Sequence, residues 1–135
     1  MAHELILLIE DHEKNRKLMR EVLQVTGYRT LEAETAEEGI RLAREAQPAL
    51  VLMDLQLPGM DGYAARAALL ADATSTNIPV IAVTASAMSH QRPQILAAGF
   101  DGYQTKPISV REFLQVVRAV LDRRQASERP TDPQA

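Results

Sequence analysis

The sequence predicts an α/β fold: a doubly wound, five-stranded and mostly parallel sheet with helices on both faces. Two observations carry this prediction. Short apolar runs alternate with amphipathic helical segments in five successive units, which is the pattern of β-α-β connections. Each connection is also about as long as the crossover that parallel strands require. With 135 residues, 46% of them hydrophobic, the chain fits one domain with a real core.

The five predicted strands are short and apolar. The first, Leu5–Ile9, is too short for a helix and is ended by two acids, as expected for a strand buried on both faces. The others are predicted at residues 28–33, 50–53, 78–83 and 101–105. Pro79 falls near the start of the fourth strand. Continuous apolar runs of this kind are typical of a parallel sheet that helices cover.

A predicted helix follows each strand. The first has apolar residues at helical spacing and stops at Gly27. The second opens on a capping box at 35–38 (TAEE) and ends before Pro48. The third covers 64–70. The fourth is expected to begin late, near Arg92, after a loose segment, because Pro93 is tolerated in the first turn but would break an earlier start.

The apolar pattern of the last predicted helix indicates where the domain ends. Its core stripe consists of Val110, Phe113, Leu114, Val117, Val120 and Leu121. Residues 123–135 (RRQASERPTDPQA) have two prolines and no apolar face, so they are predicted to be disordered. We therefore assign residues 1–122 to one domain and 123–135 to a C-terminal tail.

Composition excludes several classes of function. The chain has no cysteine, which rules out disulfides and thiolate zinc sites. A net charge of −3 and scattered aromatic residues give no support to nucleic-acid binding. No apolar run approaches the ~18 residues of a membrane span, and the N-terminus lacks the basic leader of a signal peptide. We expect a cytoplasmic protein that binds neither nucleic acid nor membrane.

Polar residues follow four of the predicted strands, where sites form in open α/β sheets. Asp54 alone could simply end its strand and begin a turn. The carboxyl ends of parallel strands meet at one edge, however, so several side chains should converge there: Glu10 and Asp11 after the first strand, Asp54 after the third, Thr84 after the fourth and Lys106 after the fifth. Three acids that meet a lysine predict a functional site.

The charges of this edge predict a divalent cation. Two like charges ~4 Å apart repel by roughly 4 kcal/mol at an effective dielectric constant near 20. Three carboxylates and one ammonium leave a residual −2, and hard oxygen ligands favour Mg²⁺ over zinc. Asp11 and Asp54 would hold the ion, and the longer Glu10 would reach it through water. Asp54 would then attack phosphorus, while Lys106 and Thr84 contact phosphoryl oxygens.

Four separated motifs carry a family resemblance. ILLIEDHEKN, LVLMDLQLPGMDG, IPVIAVTASAM and GYQTKPIS resemble, in order and spacing, the receiver domain of two-component response regulators over residues 4–122. The likeness is to stand-alone, single-domain regulators. It implies a histidine kinase or a phosphotransfer protein as the phosphoryl donor, and no enzyme activity beyond the chain's own phosphorylation and dephosphorylation.

The resemblance also implies roles for single residues. Glu10 stands where Asp is commoner, and the Lys106–Pro107 bond is expected to be cis. The implied roles are Asp54 as phosphoacceptor, Glu10 and Asp11 as the acidic pair, the backbone carbonyl of Gln56 as a metal ligand, Thr84 as the switch hydroxyl, Tyr103 as the switch aromatic and Lys106 as the phosphate-pairing lysine.

The output is expected on the surface made by the fourth helix, the fifth strand and the fifth helix. If Thr84 moves toward the phosphoryl group, Tyr103 can turn into the space that it leaves. Val116 and Ala119 form an apolar border beside this switch. That border is a candidate contact for a downstream protein or for a second copy in a homodimer. Relay of the phosphoryl group to a histidine phosphotransfer protein remains equally open.

Three rival functions are less consistent with the residues. A haloacid-dehalogenase-like phosphatase needs a second acid two residues after its nucleophile, where this chain has Gln56. A flavodoxin-like cofactor binder needs a phosphate loop after the first strand, where EDHEKN would repel phosphate. A purely structural interaction domain would not need Lys106 beside three acids. His12, a single imidazole beside a helix start, is predicted to be exposed rather than to bind metal.

Overall fold

The computed structural model describes residues 3–85 and 92–127, in which strands and helices alternate. The elements, in chain order, are β1 Leu5–Ile9, α1 Glu13–Thr26, β2 Arg29–Ala33, α2 Ala36–Ala46, β3 Leu50–Asp54, α3 Gly62–Ala71, β4 Val80–Thr84, α4 Arg92–Ala97, β5 Gly102–Thr105 and α5 Val110–Ser127. The alternation matches the predicted order of elements.

The five strands form one sheet in the order β2-β1-β3-β4-β5. Each pair of neighbours is parallel. The chain first winds from β1 to the β2 edge and then, from β3 onward, toward β5, so the direction of winding reverses between β1 and β3. Such a switch point leaves a crevice beyond the carboxyl ends of the two strands. The predicted doubly wound parallel fold is confirmed.

Two apolar cores lie on opposite faces of the sheet. Alternate strand residues point to opposite sides, so Leu7 and Ile9 pack in the core beneath α2 and α3, while Ile6 and Leu8 pack in the core beneath α1 and α5. Burying a leucine or isoleucine side chain stabilises a fold by about 1.5–3 kcal/mol. Both faces of β1 contribute in this way, which fixes the strand that leads into the acidic pair.

Local sequence signals set the helix ends. Gly27 has the left-handed conformation (φ 107°) that ends α1. The hydroxyl of Thr35 accepts a hydrogen bond from the Glu38 N–H at 3.1 Å, as the predicted cap requires. Helix α3 begins at Gly62, two residues before its predicted start, because Asp61 caps it by accepting from the Ala64 N–H at 2.9 Å.

Helix α4 begins at Arg92, as predicted, with Pro93 in its first turn. The loose segment predicted before it falls on residues 86–91, outside the described residues. The predicted start of β4 at residue 78 is wrong. Ile78 donates its N–H to the carbonyl of Ser75, so it belongs to the preceding turn, and Pro79 has no N–H for a strand ladder.

Two predictions about α5 are corrected. The helix continues to Ser127, so a disordered tail beginning at 123 is wrong. Arg123 donates a hydrogen bond of 2.7 Å to the carbonyl of Asp101, which fastens this part of the helix to the body of the domain. Residues 128–135 lie outside the described residues. Val110 is 46% exposed and not part of the core stripe, because it is the first residue of the helix.

Candidate functional site

The sheet register brings the predicted site residues to one edge. Met53 pairs with Ile9, so Asp54 lies beside Glu10 at the start of the β1–α1 loop. On its other side Asp54 pairs with Val83, one residue before Thr84. Thr84 pairs in turn with Thr105, the residue before Lys106. Residues that are far apart in the sequence therefore meet because their strands are neighbours.

Asp54 is the centre of this edge. It is only 2% exposed. The N–H of Gln56 donates to its Oδ1 at 2.9 Å, and Lys106 Nζ donates to its Oδ2 at 3.0 Å. Each carboxylate oxygen has lone pairs for two hydrogen bonds, so these two contacts alone saturate neither oxygen. The carboxylate is held in one orientation and is still able to act as a nucleophile.

Glu10 is fully buried beside Asp54. Its Oε2 accepts from the backbone N–H of His12 at 3.2 Å. Its Oε1 lies 3.2 Å from Lys106 Nζ, without the geometry of a hydrogen bond. Burial, and after it the negative charge of Asp54, raises the pKa of the Glu10 carboxyl. The folded protein therefore resists ionisation of Glu10 unless more positive charge is supplied.

Lys106 supplies part of that positive charge. Burial by itself would lower the pKa of its ammonium, but the hydrogen bond with Asp54 and the charges of Asp54 and Glu10 outweigh burial and raise it. The following peptide bond to Pro107 is cis, as predicted. One ammonium against Glu10, Asp11 and Asp54 leaves the site short of positive charge.

The site fits a divalent cation. Glu10 Oε1 and Asp11 Oδ1 are buried and have no hydrogen-bond partner among the described residues. Buried carboxylate oxygens are costly in that condition, and a cation would compensate them. Carboxylates from Glu10, Asp11 and Asp54 come together at this point, and this donor set suits Mg²⁺. Gln56 contacts Asp54 through its N–H. The role of the Gln56 carbonyl as a metal ligand stays a prediction.

His12 is exposed, as predicted, yet its imidazole does not stand apart from the acids. Its side chain is 68% exposed, and Nδ1 lies 3.4 Å from both Glu10 Oε2 and Asp11 Oδ1. It makes no side-chain cap to α1. Sequence reasoning separated His12 from the site because the direction of its side chain depends on the loop conformation. Its position directly after the acid pair was the available signal.

A second residue that sequence reasoning missed, Arg16, supports the β1–α1 loop. Its Nη1 donates to the carbonyl of Glu10 at 2.9 Å, and its Nε donates to Glu32 on β2 at 2.9 Å. Arg20 also pairs with Glu32, at 2.8 Å. These contacts tie the backbone of the acidic pair to the neighbouring strand, so α1 and β2 together fix the position of the Glu10 backbone.

The two predicted switch residues lie on neighbouring strands. Thr84 is 6% exposed at the end of β4. Tyr103 is half-buried on β5, where it pairs with Ala82, two residues before Thr84. The guanidinium carbon of Arg92 lies 5.5 Å from the centre of the Tyr103 ring, within the range of a cation–π contact. The aromatic ring therefore joins the sheet to the start of α4.

A groove of about 550 Å³ lies between α4, β5 and α5. Tyr103 lines it, together with Val116 and Ala119 from the predicted apolar border and Arg92 and Arg123 from its two sides. The predicted output surface therefore contains a groove that combines apolar side chains with two arginines and one acid, Glu112.

A parallel sheet whose carboxyl edge combines an acidic pair, an aspartate and a lysine defines a signal receiver. The family described as response regulator receiver domain matches residues 6–118, and the chain belongs to this family. It is a regulator of the two-component type, as the motifs indicated. Along the described residues, no helix is both long enough and apolar enough to cross a membrane.

Relatives and solved structures agree with this assignment. The chain is 40% identical over 116 residues to the polar-differentiation response regulator DivK of Brucella ovis, which covers 86% of this chain and 94% of that protein. The receiver domain of the sensor histidine kinase PA1611 from Pseudomonas aeruginosa PAO1, solved with a magnesium ion in its active-site cleft, is 30% identical with a TM-score of 0.82, covering 90% of this chain and 99% of that one. A CheY-like receiver domain from Methanospirillum hungatei JF-1 is 26% identical with a TM-score of 0.84, covering 93% and 99%.

Proposed function

We propose that Asp54 accepts a phosphoryl group from the phosphohistidine of a histidine kinase or a phosphotransfer protein, and that the chain acts as a single-domain regulator. The observation that carries this proposal is the buried Asp54 carboxylate, joined to Lys106 at 3.0 Å and adjacent to the acidic pair. A site built only to end a strand would not need a half-buried ammonium and three acids.

The residues divide the chemistry between them. An oxygen of Asp54 forms a bond to phosphorus while the P–N bond of the donor breaks, and the electron pair leaves with the donor imidazole. The Gln56 N–H holds the carboxylate in position, and Lys106 and the Thr84 hydroxyl contact phosphoryl oxygens. Bound Mg²⁺, held by Asp11 and Asp54 and through water by Glu10, would neutralise charge on the transferred group.

Substitution of the acceptor tests the proposal. Asp54→Asn keeps the size of the side chain but replaces the nucleophilic carboxylate with an amide, so we expect no phosphorylation. Intact mass spectrometry after incubation with acetyl phosphate and Mg²⁺ should show an adduct of about 80 Da, the mass of one phosphoryl group, on the wild-type chain only. An equal adduct on the Asp54→Asn variant would show that another residue is the acceptor.

We also propose that phosphorylation is communicated through the groove between α4, β5 and α5. Thr84 and Tyr103 lie on adjacent strands, so a movement of the hydroxyl toward the phosphoryl group changes the space available to the ring. The occupant would be a downstream protein or a second copy of the chain. We propose no general phosphatase activity, because Gln56 stands where a second acid would be needed. A cytoplasmic location stays a prediction.

A further inference from the structure

The imidazole of His12 lies within the group of metal-binding atoms at the sheet edge. One atom each from Glu10, Asp11, His12 and Asp54 lie within 4.8 Å of one another. Phosphorylation of Asp54 uses the three carboxylates and leaves this nitrogen without a role. Its Nδ1 is 3.4 Å from a carboxylate oxygen of Glu10 and from one of Asp11.

We propose that His12 turns the acidic site into a mixed nitrogen–oxygen site that takes a divalent transition-metal ion such as Co²⁺ or Zn²⁺, in addition to Mg²⁺. The proposal rests on the metal site proposed above and adds to it one ligand and a class of metal. An imidazole nitrogen is a good ligand for transition metals, whereas Mg²⁺ binds oxygen ligands. His12 therefore changes which ions the site prefers.

The separations of the donor atoms support the proposal. Two ligands on a tetrahedral ion at about 2.1 Å lie about 3.4 Å apart. The two distances from His12 Nδ1 to the carboxylates of Glu10 and Asp11 are 3.4 Å. The nitrogen therefore lies at the separation from each carboxylate that two ligands of a shared ion would have.

Glu10 gives a second, independent observation. Its side chain is fully buried, and its Oε1 has no hydrogen-bond partner among the described residues. Lys106 approaches this oxygen at 3.2 Å but hydrogen-bonds Asp54 instead. The buried carboxylate of Glu10 therefore shares one ammonium with Asp54, so a further positive partner would stabilise it. Its second oxygen, Oε2, is the one that lies 3.4 Å from the His12 nitrogen.

The exposure of His12 suits a role in metal selection. The acids are buried or half-buried and fixed by the sheet and by Arg16, whereas the imidazole is on the solvent side of the site. It can therefore turn toward a metal that binds nitrogen and stay in water when Mg²⁺ is bound. A neutral imidazole adds a ligand without adding charge, so the net charge that attracts Mg²⁺ is unchanged.

Titrations of the untagged full chain with Co²⁺ and with Mg²⁺ test the proposal. We expect His12→Ala to weaken Co²⁺ binding by about tenfold or more, a scale that even outer-shell partners of metal sites reach. It should change Mg²⁺ binding by about twofold at most, because Mg²⁺ needs only the oxygen ligands. The visible absorption of bound Co²⁺ should also change when the nitrogen ligand is lost.

His3→Ala is the matched control, because His3 is an exposed histidine that is not among the four clustered residues. This variant should keep the wild-type Co²⁺ affinity and spectrum. If His12→Ala binds Co²⁺ as the wild type does while both bind Mg²⁺, the nitrogen is not a ligand. The inference about His12 then fails, and the proposed Mg²⁺ site is unaffected. If the wild-type chain binds neither ion, the proposed metal site itself fails.

Discussion

At the scale of single residues, the site is an incompletely neutralised group of charges. Lys106 contacts Asp54 at 3.0 Å and Glu10 at 3.2 Å, while Asp11 has a buried oxygen with no hydrogen-bond partner among the described residues. Removing charges from water is costly unless they are paired. The metal-free protein is therefore less stable than it would be with fewer charges at this site. Substitution of individual acids should reveal this cost as a change in the free energy of unfolding.

The contribution of Glu10 to the stability of the metal-free protein should be more favourable in acid than at neutral pH. Because its pKa is raised in the folded state, the folded protein keeps the proton more tightly than the unfolded chain. Below the unfolded pKa of about 4.3 the acid is protonated in both states and carries no penalty. The penalty grows as the pH rises toward the folded pKa, by about 1.4 kcal/mol for each pH unit that separates the folded pKa from the unfolded one.

Glu10→Gln should therefore raise the free energy of unfolding of the metal-free protein at pH 8 and leave it nearly unchanged at pH 4. Urea denaturation in the presence of a chelator measures both values. Saturating Mg²⁺ should stabilise the wild type more than the variant, because the ion binds the folded site. A variant that is less stable than the wild type at pH 8 would show that the carboxylate is compensated without metal.

The two acids of the pair should not contribute equally to Mg²⁺ binding. Asp11 is partly exposed and has a buried oxygen with no hydrogen-bond partner among the described residues, whereas Glu10 already approaches Lys106 and the His12 N–H. We expect Asp11→Ala to weaken Mg²⁺ binding more than Glu10→Ala, because the shorter acid is the direct ligand. A calorimetric titration that gives equal losses for the two variants would contradict these roles.

At the scale of elements, the start of α3 is packed directly against the strand that carries Asp54. A Cβ on Gly62 would lie 2.7 Å from the Leu55 Cα and 2.8 Å from the Asp54 carbonyl oxygen. The Gly62 N–H also donates to the carbonyl of Leu55 at 3.0 Å. Glycine is needed here because the helix and the strand end approach each other through their backbones.

Gly62→Ala should destabilise the domain by about 1–3 kcal/mol, because the added methyl group meets backbone that cannot move aside cheaply. It should also slow phosphorylation of Asp54 by shifting the strand end. Gly102→Ala is the matched control, since a Cβ there meets its nearest atoms at 3.4–3.7 Å, an ordinary contact. Denaturant midpoints that fall equally in both variants would rule out a special role for the α3 start.

The face of α5 gives a second prediction at this scale. Val116 is half-buried and lines the groove beside β5. Val116→Glu places a charge in the apolar part of the groove lining, so we expect phosphorylation-dependent association to weaken by about tenfold, or ~1.4 kcal/mol. Phosphorylation of Asp54 should be unchanged. Sedimentation of the phosphorylated chain measures self-association, and a titration against the partner found by a phosphotransfer screen measures binding.

Val25→Glu is the control for this experiment, because Val25 is 90% exposed on α1 and does not line the groove. It introduces the same charge at a different surface. Association that is unchanged by Val116→Glu, or weakened to the same extent by Val25→Glu, would mean that the groove is not the output surface.

At the scale of the whole molecule, the periodic sequence signals predict the architecture well. Apolar runs and helix caps, such as the one at Thr35, depend on neighbouring residues, and the structure bears them out. One error occurs where a distant contact decides, because Arg123 at the end of α5 bonds to Asp101, 22 residues earlier. The other error is local: the N–H of Ile78 closes a turn on the carbonyl of Ser75, and an apolar run alone does not reveal that turn.

The site, too, has features that the sequence predicts and features that it does not. Acids and a lysine at strand ends could be brought together from topology alone, because parallel strands share an edge. The position of His12 and the Arg16 contact to the Glu10 carbonyl depend on how one loop turns. Such details follow from side-chain directions that residue spacing does not encode.

The separation of 52 residues between Asp54 and Lys106 has a consequence for protein synthesis. A nascent chain leaving the ribosome presents its aspartate when β4, β5 and the lysine have not yet been made. At that point β3 lacks a neighbour on one side, and the ammonium that pairs with the carboxylate is absent. We expect ribosome-bound and prematurely terminated chains to be unable to take up phosphate. Only finished copies would then compete for the signal that a kinase delivers.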